Sequence, residues 1–221
     1  AATGIYAVAN KVPSILMTVA NIFTSAWQIS AVAERTPAEK ERFFSNVYSV
    51  YTAVAFAAAS GVILTAQIST RLLAAPGYYA AWRYVPVLTL ATTFACLGSF
   101  LSSIYMAEQR STATFATTML GAACNLVGNF FLIRYWGSMG AAVSTLLSYI
   151  LIFAVRAVHT RSLLRLHWSF PKLAVSALLL AAQCVMMERD VPFWPLWSAI
   201  CLLGICAIHL KALLRAVKSG L

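Results

Sequence analysis

The chain has 221 residues, 61% of them hydrophobic and 10% charged, with a formal net charge of +10 and a mean hydropathy of +0.80. Soluble domains carry about 45–50% apolar and about 25% charged residues, so the composition excludes an ordinary soluble domain and predicts an all-α, polytopic membrane protein. The excess of Lys and Arg then belongs in loops beside anionic headgroups rather than on nucleic acid.

A bilayer core of about 30 Å takes about 20 apolar residues as helix, with a range of about 17–25. Seven segments qualify in chain order: Ile5–Val32, Val47–Ile68, Tyr84–Ala107, Thr112–Ile133, Met139–Val158, Phe170–Met187 and Phe193–Leu210. Their runs are continuous rather than alternating, which argues against a β-barrel. Short loops make successive helices antiparallel neighbours.

The first span is the most informative. Lys11, Ser14, Thr18, Asn21, Ser25 and Gln28 recur at steps of three and four, with Asn10 beside them, so they form one polar stripe on a helix. Val12, Ile15, Leu16, Val19, Ile22, Phe23 and Trp27 fill the other faces. Such a stripe aims at protein or water and not at lipid. Interhelical hydrogen bonding would account for Ser and Thr alone; a lysine with several amides points to a solvated cavity. Lys11 lies roughly 10 Å below Gly4 along the helix. Snorkelling to the interface is its simplest alternative role.

The fourth span carries a weaker row, Thr114, Thr118, Gly121, Asn125 and Gly128, with Asn129 adjacent; close helix packing and a cavity wall are both open for it. In the fifth, Gly140, Ser144 and Ser148 are spaced as small residues at a helix contact. The sixth and seventh spans are nearly featureless apart from Gln183, and much of their surface is expected to face lipid. Pro13 and Pro86 are expected to kink or loosen their helices.

Eleven basic residues, running from Arg35 to Lys218 and including Arg156, fall on one side of this topology, against Arg71, Arg83, Arg134 and Arg189 on the other. The positive-inside rule then makes the C-terminus cytoplasmic and residue 1 external. Aromatic residues from Tyr78 to Tyr84, with Tyr135, Trp136 and Phe193 to Trp197, belong to the outer interface.

All six acids lie in loops or at span ends, so no buried carboxylate is available for a proton or Na⁺, and Lys11 is read as the one ionisable group well inside a span. The five cysteines form no CxxC pair and read as small buried hydrophobes. The histidines have no partner at metal-ligand spacing, and no GxSxG, HExxH or P-loop occurs. No enzyme activity, metal or cofactor is expected. The chain does not open on methionine, and the expectation is that it is the C-terminal part of something longer.

Three stretches carry a family resemblance. "TGIYAVANKVPSILMTVANIFTSAWQIS" resembles the opening of a helix in bacterial polysaccharide flippases of the multidrug/oligosaccharidyl-lipid/polysaccharide exporter superfamily. "YYAAWRYVPVLTLATTFACLGSFLSSIYMAEQRS" is similar to their aromatic outer loop and proline-opened helix. "CNLVGNFFLIRYWGSMGAAVSTLLSYI" resembles their Asn-containing helix and G-x-x-GAA turn, with "RYW" where a proline is common. The resemblance implies two six-helix bundles around a central cavity. The chain would supply helices eight to fourteen: residues 1–169 as five helices of the second bundle, and 170–221 as two additional C-terminal helices.

The implied function is flipping of an undecaprenyl-pyrophosphate-linked oligosaccharide repeat unit across the bacterial inner membrane, for surface polysaccharide such as lipopolysaccharide O-antigen, capsule or exopolysaccharide. Lys11 would then meet pyrophosphate or acidic sugars. Asn10, Asn21, Gln28, Asn125 and Asn129 would hydrogen-bond the glycan, with Ser14, Thr18 and Ser25 completing the wall. Arg83 would stand at the outer mouth or anchor the interface. No family motif fixes these roles, which rest on the stripe. The implied partners are the lipid-linked oligosaccharide, membrane lipid, a polysaccharide polymerase and a separate N-terminal half; nucleic acid is not among them. A multidrug or toxin exporter, a peptidoglycan-precursor flippase and a truncated non-transporting fragment stay open as alternatives.

Overall fold

The computed structural model describes residues 2–31, 36–164 and 169–219, all in helices, turns or short connections, with no strand among them. Arg35, Arg165 and His167 lie outside the described residues.

Helix α1, Ala2–Ala31, runs continuously through Pro13. Helix α2, Pro37–Leu64, begins ten residues before the expected second span. Its start is set by a capping box. The Thr36 hydroxyl accepts the Glu39 N–H at 3.4 Å, and the Glu39 carboxylate accepts the Thr36 N–H at 2.9 Å. This pairing satisfies two of the backbone donors that every helix start leaves free. The charged residues Glu39 to Arg42 are good helix formers, so the helix extends through them.

The same span ends early. At Thr65 the backbone leaves helical geometry, the side chain bonds Gly61 O at 2.9 Å, and a separate short helix α3, Ala66–Leu73, takes up the residues expected to continue α2. A 3-10 helix, Pro76–Arg83, then leads into α4, Val85–Ala107. Pro86 falls in the first turn of α4, where no hydrogen bond is lost, so it starts the helix instead of kinking it.

The fourth and fifth expected spans form α5, Ser111–Thr160, two legs joined at Gly137 alone. Gly137 has φ +55° and ψ −135°, a conformation that favours glycine. The legs then pack antiparallel, and at Gly121, Gly128 and Gly140 a Cβ would strike Ile152, Ser144 and the Leu132 backbone respectively. The small residues of both expected rows therefore serve close packing. Helices α6, Phe170–Glu188, and α7, Trp194–Ile208, form a second hairpin, followed by α8, Leu210–Ser219.

Among the described residues, α1, α2, α4, α5 and α6 are long and apolar enough to cross a membrane. The seventh expected span appears as α7, only 15 residues long. The protein is a polytopic transmembrane helix bundle. Helix α4 is its axis, with Leu97, Phe100, Leu101 and Tyr105 fully buried. Helix α1, helix α2 and the α5 hairpin surround it, while the α6–α7 hairpin packs on the far side of α2 and also reaches α4.

Candidate functional site

Helix α1 has two unlike sides. Ala9, Val12, Pro13 and Thr24 are buried, and Leu16, Met17, Ala20 and Phe23 pack partly against the core. Asn10, Lys11, Ser14, Thr18, Asn21 and Ser25 are all exposed. The described residues of the predicted stripe are thus brought together on one face, pointing away from the other described helices. Gln28 continues α1, but its side chain lies outside the described residues.

Part of the stripe is satisfied by its own helix. Asn10 Nδ2 donates to Tyr6 O at 2.9 Å, Ser14 Oγ to Lys11 O at 2.7 Å and Thr18 Oγ1 to Ser14 O at 3.0 Å. These bonds hold the side chains against the backbone while leaving acceptor lone pairs free. Beside the stripe, Ile15, Val19 and Ile22 form an exposed apolar edge. It borders a groove of about 160 Å³ shared with Tyr51 and Val54 of α2 and Cys96 of α4. Tyr51 donates to Cys96 O at 3.0 Å, so its phenol is satisfied at the floor of an otherwise apolar groove. All five cysteines are free.

Asn125 and Asn129 are placed elsewhere. Both sit within the α5 hairpin, where Asn125 Nδ2 donates to Thr145 Oγ1 at 3.3 Å and Asn129 Nδ2 to Asn125 Oδ1 at 3.0 Å. Ser144 Oγ in turn donates to Asn125 O at 3.0 Å. Helix α1 touches α5 only marginally, so these two amides are not joined to the α1 stripe. Arg83 is exposed at the end of the 3-10 helix, its guanidinium 5.7 Å from the Trp82 ring centroid.

The expected place of Arg156 among the loop charges is corrected by its burial, at 6% exposure. Lys11 is therefore not the one cation of the helical region. Arg156 Nε donates to Thr117 Oγ1 at 2.9 Å, Nη2 to Thr118 Oγ1 at 2.9 Å and Nη1 to Gly98 O at 2.8 Å. The Tyr105 hydroxyl lies 3.0 Å from His159 Nδ1, one turn away. The only signal was position: Arg156 falls inside the predicted fifth span, but so close to its end that it reads as interfacial. Gln183 interrupts a largely apolar predicted span. It is fully buried and donates to Ser60 Oγ and to Ser198 O, each at 2.8 Å, tying α6 to α2 and α7. No group of three metal-ligating side chains occurs among the described residues.

The fold defines a multi-pass helical membrane protein whose first helix carries a half-polar exposed face. No protein-family model matches the sequence, and no curated protein matches it. Among solved structures, the chain is similar to "Lipid II flippase MurJ, inward closed conformation", with a TM-score of 0.67 and 11% identity. The similarity covers 97% of this chain and 48% of that one, so the chain spans about half the length of the structure it resembles. At this identity the likeness establishes the fold.

Proposed function

We propose that this chain is part of a flippase that moves a lipid-linked oligosaccharide across a bacterial inner membrane, with the exposed polar face of α1 lining the route of the hydrophilic head. The observation that carries the reading is the placement of Lys11 with Asn10, Ser14, Thr18, Asn21 and Ser25 on a side of α1 left exposed among the described residues. The likeness to the structure of a lipid II flippase supports an exporter of lipid-linked cargo. The side-by-side arrangement of polar stripe and apolar groove supports it too, since such cargo has a charged head and a hydrocarbon tail.

In this reading the cavity opens to each side of the membrane in turn. Lys11 meets the negative charge of the pyrophosphate or of acidic sugars, and the amides and hydroxyls hydrogen-bond the glycan while the polyprenyl tail stays in apolar surroundings. The stripe forms its wall together with helices of a second bundle, on this chain or on another. The C-terminus is cytoplasmic, and residues 170–221 are helices added to the bundle. The cargo is an undecaprenyl-pyrophosphate-linked repeat unit of a surface polysaccharide, as the sequence resemblance implies.

A second reading has its own support: the similar structure is that of a lipid II flippase. Complementation separates the two. The full-length protein should restore surface polymer to cells lacking a repeat-unit flippase and fail to rescue cells depleted of their lipid II flippase; the reverse pattern would establish the second reading. Lys11→Ala and Asn21→Leu should each reduce export at normal membrane abundance. Undiminished export by both would reject the α1 stripe as the route.

A further inference from the structure

The apolar groove beside the α1 stripe lies between α1, α2 and α4 and has a volume of about 160 Å³. We propose that it seats the part of the polyprenyl tail nearest the head of the lipid-linked cargo, which rests on the flippase reading above and adds to it a place on the protein for the hydrocarbon.

The lining fits a hydrocarbon chain and nothing polar. Ile15, Leu16 and Val19 of α1 face Val54 of α2, and the alanines Ala20, Ala55 and Ala58 leave the space between the two helices. Tyr51, Thr93 and Cys96 also line the groove, each with its polar atom engaged within the protein. Tyr51 donates to Cys96 O at 3.0 Å, Thr93 Oγ1 to Thr89 O at 2.8 Å, and Cys96 Sγ lies 3.9 Å from Met17 Sδ. A polar group entering here would give up its water without gaining a partner. At one end Phe23 meets Tyr51, their ring centroids 5.6 Å apart. From Ile15 to Phe23 the α1 wall covers about 12 Å of helix, enough for a short run of chain and far less than a whole polyprenyl tail.

Its position selects the cargo over bulk lipid. Ile15 follows Ser14 and Val19 follows Thr18, so the groove wall lies about 100° round α1 from the stripe, at the same depth. A lipid whose charged head is held by Lys11 and the stripe has its tail delivered to the groove, at an effective concentration that an untethered acyl chain lacks. The surrounding hydrocarbon is as apolar as the walls, so occupancy comes from this tether and from packing, not from the hydrophobic effect.

The test reconstitutes the full chain in phosphatidylcholine vesicles with one of two photoreactive probes at the same mole fraction. One is undecaprenyl phosphate with a diazirine in its first isoprene units; the other is phosphatidylcholine with a diazirine in an acyl chain. Adducts are mapped by peptide mass spectrometry. The polyprenyl probe should label residues 15–23 and 51–58 more heavily than the exposed faces of α5, and the phospholipid probe should show no such concentration. Ala58→Phe and Ala55→Leu, which fill the groove, should each lower the polyprenyl adducts about fivefold, the equivalent of roughly ten lost carbon–carbon contacts. Lys11→Gln should lower them as well, and Ala122→Phe, exposed on α5, should leave them unchanged. Equal labelling of the groove by both probes would overturn the proposal. So would adducts that Lys11→Gln lowers and neither groove variant does, an outcome that leaves the stripe as the route of the head. Adducts lowered by the groove variants alone would uphold the tail site and reject the stripe.

Discussion

Arg156 reaches across 58 residues of sequence to donate from Nη1 to the carbonyl of Gly98, at 2.8 Å, while its other nitrogens hold Thr117 and Thr118. One guanidinium thereby fastens both legs of the α5 hairpin to α4. Its planar fork meets three acceptors in fixed directions, which an ammonium does not reproduce. Arg156→Ala should lower stability by about 3 kcal/mol, the typical cost of breaking a buried polar network with one partner removed. Arg156→Lys should recover less than half of the loss. Thermal unfolding in one detergent, followed by tryptophan fluorescence, measures both.

The glycines give a contrast within one residue type. Gly137→Ala places a Cβ at φ +55° and should cost about 1–3 kcal/mol through backbone strain. Gly140→Ala meets the Leu132 backbone in the facing leg and should splay the hairpin, with a larger loss. Gly61→Ala lies in α2 with no atom near the added methyl, and should stabilise by about 0.5–1 kcal/mol. Unfolding midpoints of the three variants in parallel test this ranking.

Gln183 joins α6 to α2 and α7 through one amide nitrogen. Gln183→Ala removes two hydrogen bonds from a fully buried position and leaves a void. A loss of about 2–4 kcal/mol is expected. Limited proteolysis should then cut the α6–α7 hairpin of the variant sooner than that of wild type.

The exposed stripe of α1 predicts a pattern of thiol accessibility. In a background with the native cysteines replaced, Asn21→Cys and Ser14→Cys should react with a membrane-impermeant maleimide, because a thiolate forms only in water. Ala9→Cys, buried against the core, should stay unlabelled. Ile22→Cys, on the neighbouring apolar edge, should react more slowly than Asn21→Cys.

Orientation is tested by a reporter after Leu221. A fused green fluorescent protein should fluoresce, and a fused alkaline phosphatase should be inactive, when the C-terminus is cytoplasmic. Active phosphatase would reverse the orientation obtained from the basic residues.

Long apolar runs made the helices legible, because lipid permits few other backbone arrangements. The early start of α2 was also written in the sequence, in the spacing of Thr36 and Glu39, but the charged turn after it reads as a loop when hydropathy alone is followed. The α1 stripe was legible because it is a local pattern at helical spacing. What the sequence did not disclose depends on pairing distant segments. Asn125 looks equally suited to a cavity or a hairpin seam until Thr145 is known to face it. Arg156 near a helix end looks interfacial until Gly98 and two threonines are known to surround it.

The single-residue turn at Gly137 has a mechanical consequence. With no flexible loop between its legs, and with glycines pressed against the opposite leg, the α5 hairpin has no internal play and behaves as one stiff lever. Displacing that lever against α4 would mean breaking the Arg156 bond to Gly98 together with the contacts of Ser102 with Thr114 and of Tyr105 with His159.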